Sequence, residues 1–64
     1  MKGACLRHLR KRAGIKAKEA AAAIEINAGH LAYLERKNKE LRLPLSSWFL
    51  LAELLGIPID KLPR

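Results

Sequence analysis

The sequence predicts an all-α fold, a compact bundle of four to five short helices in one domain over residues 1–64. Three observations support this. Apolar residues recur at helical spacing, as in Leu6, Leu9 and Ala13. Gly14, Asn27, Pro44 and Gly56 stand where such segments should start or stop. No stretch alternates apolar and polar residues as a half-buried strand does. A chain of this length buries only about 60% of its unfolded surface, so the core must be small.

The elements follow in order. Leu6, Leu9 and Ala13 define a first helix over roughly residues 3–13, with Gly14 as its stop. Lys16 to Ile24 is rich in alanine, the best helix former, and gives a second. Asn27 is a good N-cap for a third helix running to about Arg36, within which Gly29 costs roughly 1 kcal/mol relative to alanine. Residues 37–44 are polar and basic and end in Pro44, which predicts a loop. Ser46 or Ser47 is expected to cap a fourth helix through Leu55, ended by Gly56. Pro58, at a first helical position, is expected to open a short fifth turn through Leu62.

Charge narrows the function. Thirteen Lys and Arg stand against six Asp and Glu, a formal net charge of +7. Eleven of the basic residues and four of the acids lie in residues 1–42, and the remainder is nearly neutral. Such asymmetry implies a polyanion-binding face and a second face free for another task. Cys5 is the only cysteine, which excludes an internal disulfide and fits a reducing cytosol; it reads as a small, semi-buried apolar residue. His8 and His30 have no Cys or acidic partner at ligand spacing, so no metal is expected. Without a nucleophile–base pair or a phosphate-cradling glycine loop, no enzyme, cofactor or small-molecule ligand is expected. The longest apolar runs, Ala20 to Ile24 and Trp48 to Ala52, are too short to span a bilayer. A cytoplasmic protein with no membrane partner is expected, and Met1 favours a natural start.

The second and third helices with their short connection, about residues 16–36, form a candidate helix-turn-helix. Ala21 supplies the small residue where the helices cross, and Ala20, Ile24, Ile26, Leu31 and Leu34 supply apolar anchors. With Leu6-Arg7-x-x-Arg10, Leu34-Glu35-Arg36, Pro44, Ala52-x-x-Leu55-Gly56-Ile57 and Ile59-Asp60-Lys61-Leu62, the chain resembles the Cro and repressor family of phage and bacterial helix-turn-helix regulators along almost its whole length. The resemblance implies a structural ion pair between Arg10 and Glu35. Two departures stand out. Glu25 occupies the tight turn where the family prefers glycine in a left-handed conformation, which implies a cost of about 1 kcal/mol and an altered turn. Lys37 stands where glycine usually follows Arg36, which implies a different path into a longer basic loop.

A partner of double-stranded DNA follows from the resemblance. It places Ala28, Gly29, Ala32 and Tyr33 in the major groove, with Arg36 near the helix end and within reach of base or phosphate. Ala28 suits a thymine methyl and Tyr33 a base or a phosphate, but the face is bland, so specificity should be modest or depend on DNA shape. Lys16, Lys18, Asn27, Lys37, Lys39 and Arg42 are candidate phosphate contacts, with Asn27 also the cap; each cation reads alternatively as solvated surface.

In the fourth helix Trp48, Leu51, Ala52 and Leu55 form the stripe that faces a core. Leu50 and Leu54 are surplus, and with Ile57 and Ile59 they form either an exposed dimer interface or a patch covered by the fifth turn. The expectation is a small Cro-like repressor, a homodimer on a palindromic operator. The alternative is a protein-interaction module, such as an antitoxin or a regulator's partner, that uses the apolar 48–59 surface.

Overall fold

A computed structural model describes residues 1–63. Four α-helices and a 3-10 turn follow one another among these residues: α1 (Gly3–Ala13), α2 (Ala17–Ala23), α3 (Ala28–Arg36), α4 (Leu45–Leu55) and the turn at Ile59–Lys61. α3 packs on α1 and α2, whereas α4 packs on α2 and α1 and makes no close approach to α3. The domain is therefore two-sided, with α3 and α4 on different faces of the α1–α2 scaffold.

The core draws on each helix. Leu6 of α1, Leu31 of α3 and Leu51 of α4 are fully buried, and Ala20, Ala21 and Ile24 join them from α2. The stripe Trp48, Leu51, Ala52 and Leu55 is buried throughout. Leu41 is also buried, so the segment after α3 is more than a solvated loop. It runs back past the start of α1: Gly3 donates its amide to Lys39 O at 2.8 Å, and Leu41 donates to Met1 O at 2.9 Å. These bonds flank an isolated antiparallel bridge between Lys2 and Glu40, a strand-like pairing with no signature in the sequence. The Met1 ammonium donates to Glu40 Oε2 at 2.8 Å, and this hydrogen bond holds the Glu40 carboxyl below its usual range.

All four helices end in the same way. A residue with positive φ follows the last turn, and the next amide reaches back five residues. The positive-φ residues are Gly14 (73°), Glu25 (59°), Asn38 (53°) and Gly56 (70°). The amides of Ile15, Ile26, Lys39 and Ile57 then donate to the carbonyls of Arg10, Ala21, Leu34 and Ala52 at 2.8, 3.0, 2.9 and 3.0 Å. This is the Schellman arrangement, which satisfies carbonyls that a helix end otherwise leaves free. Ile15, Ile26 and Ile57 each pack against the core immediately afterwards, so each turn also fixes an apolar anchor. The turn between α2 and α3 is thus not altered by Glu25; the residue adopts the left-handed conformation itself. After α3 the left-handed position passes to Asn38, one residue beyond Lys37.

Two helix starts differ from the sequence expectation. α4 begins at Leu45 with Pro44 as its cap, and no serine side chain caps it. The fixed φ of proline, here −65°, prepares the entry, and Ser47 is buried inside the first turn. Pro58 likewise stands just before the 3-10 turn, not within it.

Close backbone packing makes Gly3 obligatory: a Cβ there would lie 2.1 Å from Leu34 O and 2.9 Å from Glu35 Cα. Gly3→Ala should destabilise the domain by about 2 kcal/mol, as overpacking against unyielding backbone does. Glu25→Gly should stabilise it by roughly 0.5–1 kcal/mol, because relief of left-handed strain outweighs the added flexibility of the unfolded chain. Urea unfolding of both variants checks this; a neutral Gly3→Ala contradicts the packing, and a destabilising Glu25→Gly contradicts the strain.

Candidate nucleic-acid interface

Asn27 starts α3, its Oδ1 accepting the Gly29 amide at 2.7 Å. Leu31 and Glu35 turn inward and are buried, and Leu34 is half-buried. Ala28, Gly29, Ala32, Tyr33 and Arg36 are consequently left on one exposed face of the helix. Their side chains are small except for Tyr33 and Arg36, so the helix backbone itself can come close to another surface.

His30 adds a feature the sequence reading left aside. Its ring stacks on Tyr33, with centroids 6.4 Å apart and planes 15° from parallel. Both are exposed, and the spacing of three residues puts them on adjacent turns. That spacing was the available signal.

The orientation of α3 is fixed from below by Arg10. Its Nε donates to Glu35 Oε2 at 2.8 Å and its Nη2 to Glu35 Oε1 at 2.7 Å, while Nη1 donates to Ile15 O at 3.3 Å. One guanidinium thereby ties together α1, the α1–α2 connection and the last turn of α3. The side chains are 12% and 4% exposed, so the pair is largely out of water. The hydrogen bonds to Glu35 raise the Arg10 pKa further above its already high value. Among the described residues no buried side-chain polar atom lacks a partner. α3 is also held at its exit, where Asn38 Oδ1 accepts the Ala4 amide at 3.1 Å and so caps the start of α1.

The candidate phosphate contacts Lys16, Lys18, Asn27, Lys37, Lys39 and Arg42 are all exposed. None of the five cations among them forms an ion pair within the described residues, where the acidic partners are Glu40 and Glu35 alone. Lys16 and Lys18 lie at the start of α2, but Glu19 already accepts the Lys16 amide there at 3.3 Å. The N-cap amide of α2 is thereby satisfied within the domain, with the Lys16 and Lys18 side chains exposed beside it. Lys37, Lys39 and Arg42 follow α3 and bracket the bridge at Glu40.

The expected apolar patch is placed differently. Of Leu50, Leu54, Ile57 and Ile59 only Leu50 is exposed, at 50%; the other three are partly buried against the core. The exposed apolar residues beside Leu50 are Leu45 (56%) and Phe49 (51%). They lie on α4, away from α3. No helix among the described residues is long and apolar enough to cross a membrane.

A family model described as helix-turn-helix matches residues 6–62, nearly the whole chain. No curated protein and no solved structure matches it.

Removing one member of a buried pair leaves the other uncompensated, at a cost of about 3–5 kcal/mol. Arg10→Met should therefore be strongly destabilising, and Arg10→Met with Glu35→Leu much less so than Arg10→Met alone. A double-mutant cycle in urea checks the coupling. Additive costs would show that the two groups do not act as a pair.

Proposed function

Because the chain belongs to the helix-turn-helix family of phage-repressor type, a family of DNA-binding regulators, we propose that it is a small Cro-like transcriptional repressor that places α3 in the major groove of a palindromic operator. The observation that carries this reading is the exposed face of α3, preceded and followed along the chain by exposed cations that form no ion pair among the described residues. Ala28, Gly29 and Ala32 let the helix backbone approach the base edges, and Ala28 suits a thymine methyl. Tyr33, stacked on His30, meets a base edge or a phosphate as a stiffened ring pair. Lys16 and Lys18 on one side and Lys37, Lys39 and Arg42 on the other neutralise phosphates, with Asn27 as a further polar contact. A face so poor in bidentate donors draws its specificity largely from groove shape and methyl contacts. The working compartment is the cytoplasm.

We assign dimer formation to α4. Leu45, Phe49 and Leu50 are exposed together, and Glu53 is the only charged residue of the helix. Two copies meeting there keep their excess positive charge apart. Leu54, Ile57 and Ile59 contribute at the margin of the contact. A two-fold axis through this surface makes the two α3 helices equivalent, and half-sites about 34 Å apart follow for successive major grooves. The same exposed residues favour one second reading, a surface for a different protein such as a toxin or another regulator.

Titration onto mixed-sequence DNA and onto palindromes flanking its own gene, at two salt concentrations, tests the repressor reading. At least one palindrome should bind roughly 10³-fold more tightly than mixed sequence, with affinity falling steeply as salt rises. Equal affinity for all the DNAs defeats specific repression. Leu50→Asp should sediment as a monomer where the wild type is a dimer; an unchanged mass removes α4 from the dimer interface.

A further inference from the structure

A shallow cleft opens between α1 and α3, lined by Arg7, Arg10, Ala32, Glu35 and Arg36. Three guanidinium groups stand there against one carboxylate, an excess of two positive charges. Arg10 and Glu35 satisfy one another at the base, and both carboxylate oxygens are taken. The other two cations are uncommitted. Arg7 and Arg36 are exposed and form no ion pair among the described residues. Ala32, which lines the same cleft, carries only a methyl group and lies on the exposed face of α3. Two like charges beside one cleft repel each other until an anion lies between them, and the planar fork of arginine matches the oxygens of a phosphate.

We propose that Arg7 and Arg36 form a clamp for a single DNA phosphate at the edge of the major groove, so that Arg36 grips the backbone and reads no base. The proposal rests on the DNA-binding reading above and adds to it a contact from α1. The clamp registers α3 in the groove: the phosphate that it holds fixes the helix along the duplex, whatever bases Ala28, Gly29 and Ala32 then meet. Its floor is the Arg10–Glu35 pair, so the contact that holds α3 to the domain also places the clamp.

The test compares Arg7→Gln, Arg36→Gln, their double variant and Arg7→Lys. Each binds a mixed-sequence duplex of about two helical turns and the preferred palindrome over a range of salt concentrations. Each neutralised phosphate contributes about 0.9 to the slope of log affinity against log salt. The double variant should lose about 0.9 from that slope, one phosphate's worth, while Arg7→Lys keeps it, because a phosphate accepts either cation. The Gln variants should weaken both duplexes by the same factor and leave the preference between them unchanged. Thermal melts should be unchanged, since neither side chain forms an ion pair among the described residues. An unchanged slope in the double variant overturns the clamp, as does a loss of about 1.8, which means two separate phosphates. A reduced preference in Arg36→Gln overturns it too, by making Arg36 a base reader. If the wild type ignores DNA at low salt, the DNA-binding reading falls and the clamp with it.

Discussion

Glu35 lies in the last turn of α3 with both carboxylate oxygens occupied by the Arg10 guanidinium, and little else about the exposed face of α3 is independent of that contact. The pair is largely excluded from water, where an ion pair gains little net stability from its charges alone. What it supplies is geometry. A bidentate contact admits one relative orientation of guanidinium and carboxylate, and Arg10 is itself held by Ile15 O in the connection to α2. The roll of α3 about its axis is thereby linked to α1 and to the entry of α2. Leu31 supplies the apolar half of the same constraint from within the core.

The helix ends complete the positioning. Four consecutive Schellman turns set where each helix stops and which isoleucine or lysine follows. Glycine fills two of the left-handed positions and asparagine a third, residues for which that conformation is cheap. Glu25 fills the fourth, in the turn that sets the angle between α2 and α3. The turn persists because Ile26 packs against the core just beyond it and its amide closes on Ala21 O at 3.0 Å. Tertiary burial there overrides a local conformational preference. At the exit of α3, Asn38 both adopts the left-handed conformation and caps α1, so the basic segment that follows is anchored where it leaves the helix.

Much of this was legible in the residues. Gly14, Asn27 and Gly56 mark helix ends through backbone chemistry that is local, and the helices end within a residue or so of those signals. The stripe Trp48, Leu51, Ala52 and Leu55 is buried because helical periodicity sets a face once the helix exists. Nonlocal features were not legible. The burial of Leu41 and the Lys2–Glu40 bridge depend on the segment after α3 folding back on the start of α1. Periodicity marks Leu50 and Leu54 as the surplus of α4, to be joined by Ile57 and Ile59 in one patch, but Leu54, Ile57 and Ile59 are partly buried against the core, and the exposed apolar residues beside Leu50 are Leu45 and Phe49. Periodicity tells which residues share a face; it does not tell which flanks the neighbours cover. At the candidate DNA interface, spacing indicated the exposed positions of α3. The His30–Tyr33 stack and the cleft at Arg7 needed side-chain positions to be seen.

In the proposed function α3, held from beneath by Arg10 and Glu35, is the surface that meets DNA, and α4 is kept for another copy of the chain. Backbone amide shifts followed by NMR during addition of a duplex test it residue by residue. The largest shifts are expected at Ala28, Gly29, Ala32, Tyr33 and Lys37 to Lys39, with Phe49 and Leu50 little changed. Shifts concentrated on α4, with α3 silent, would contradict it.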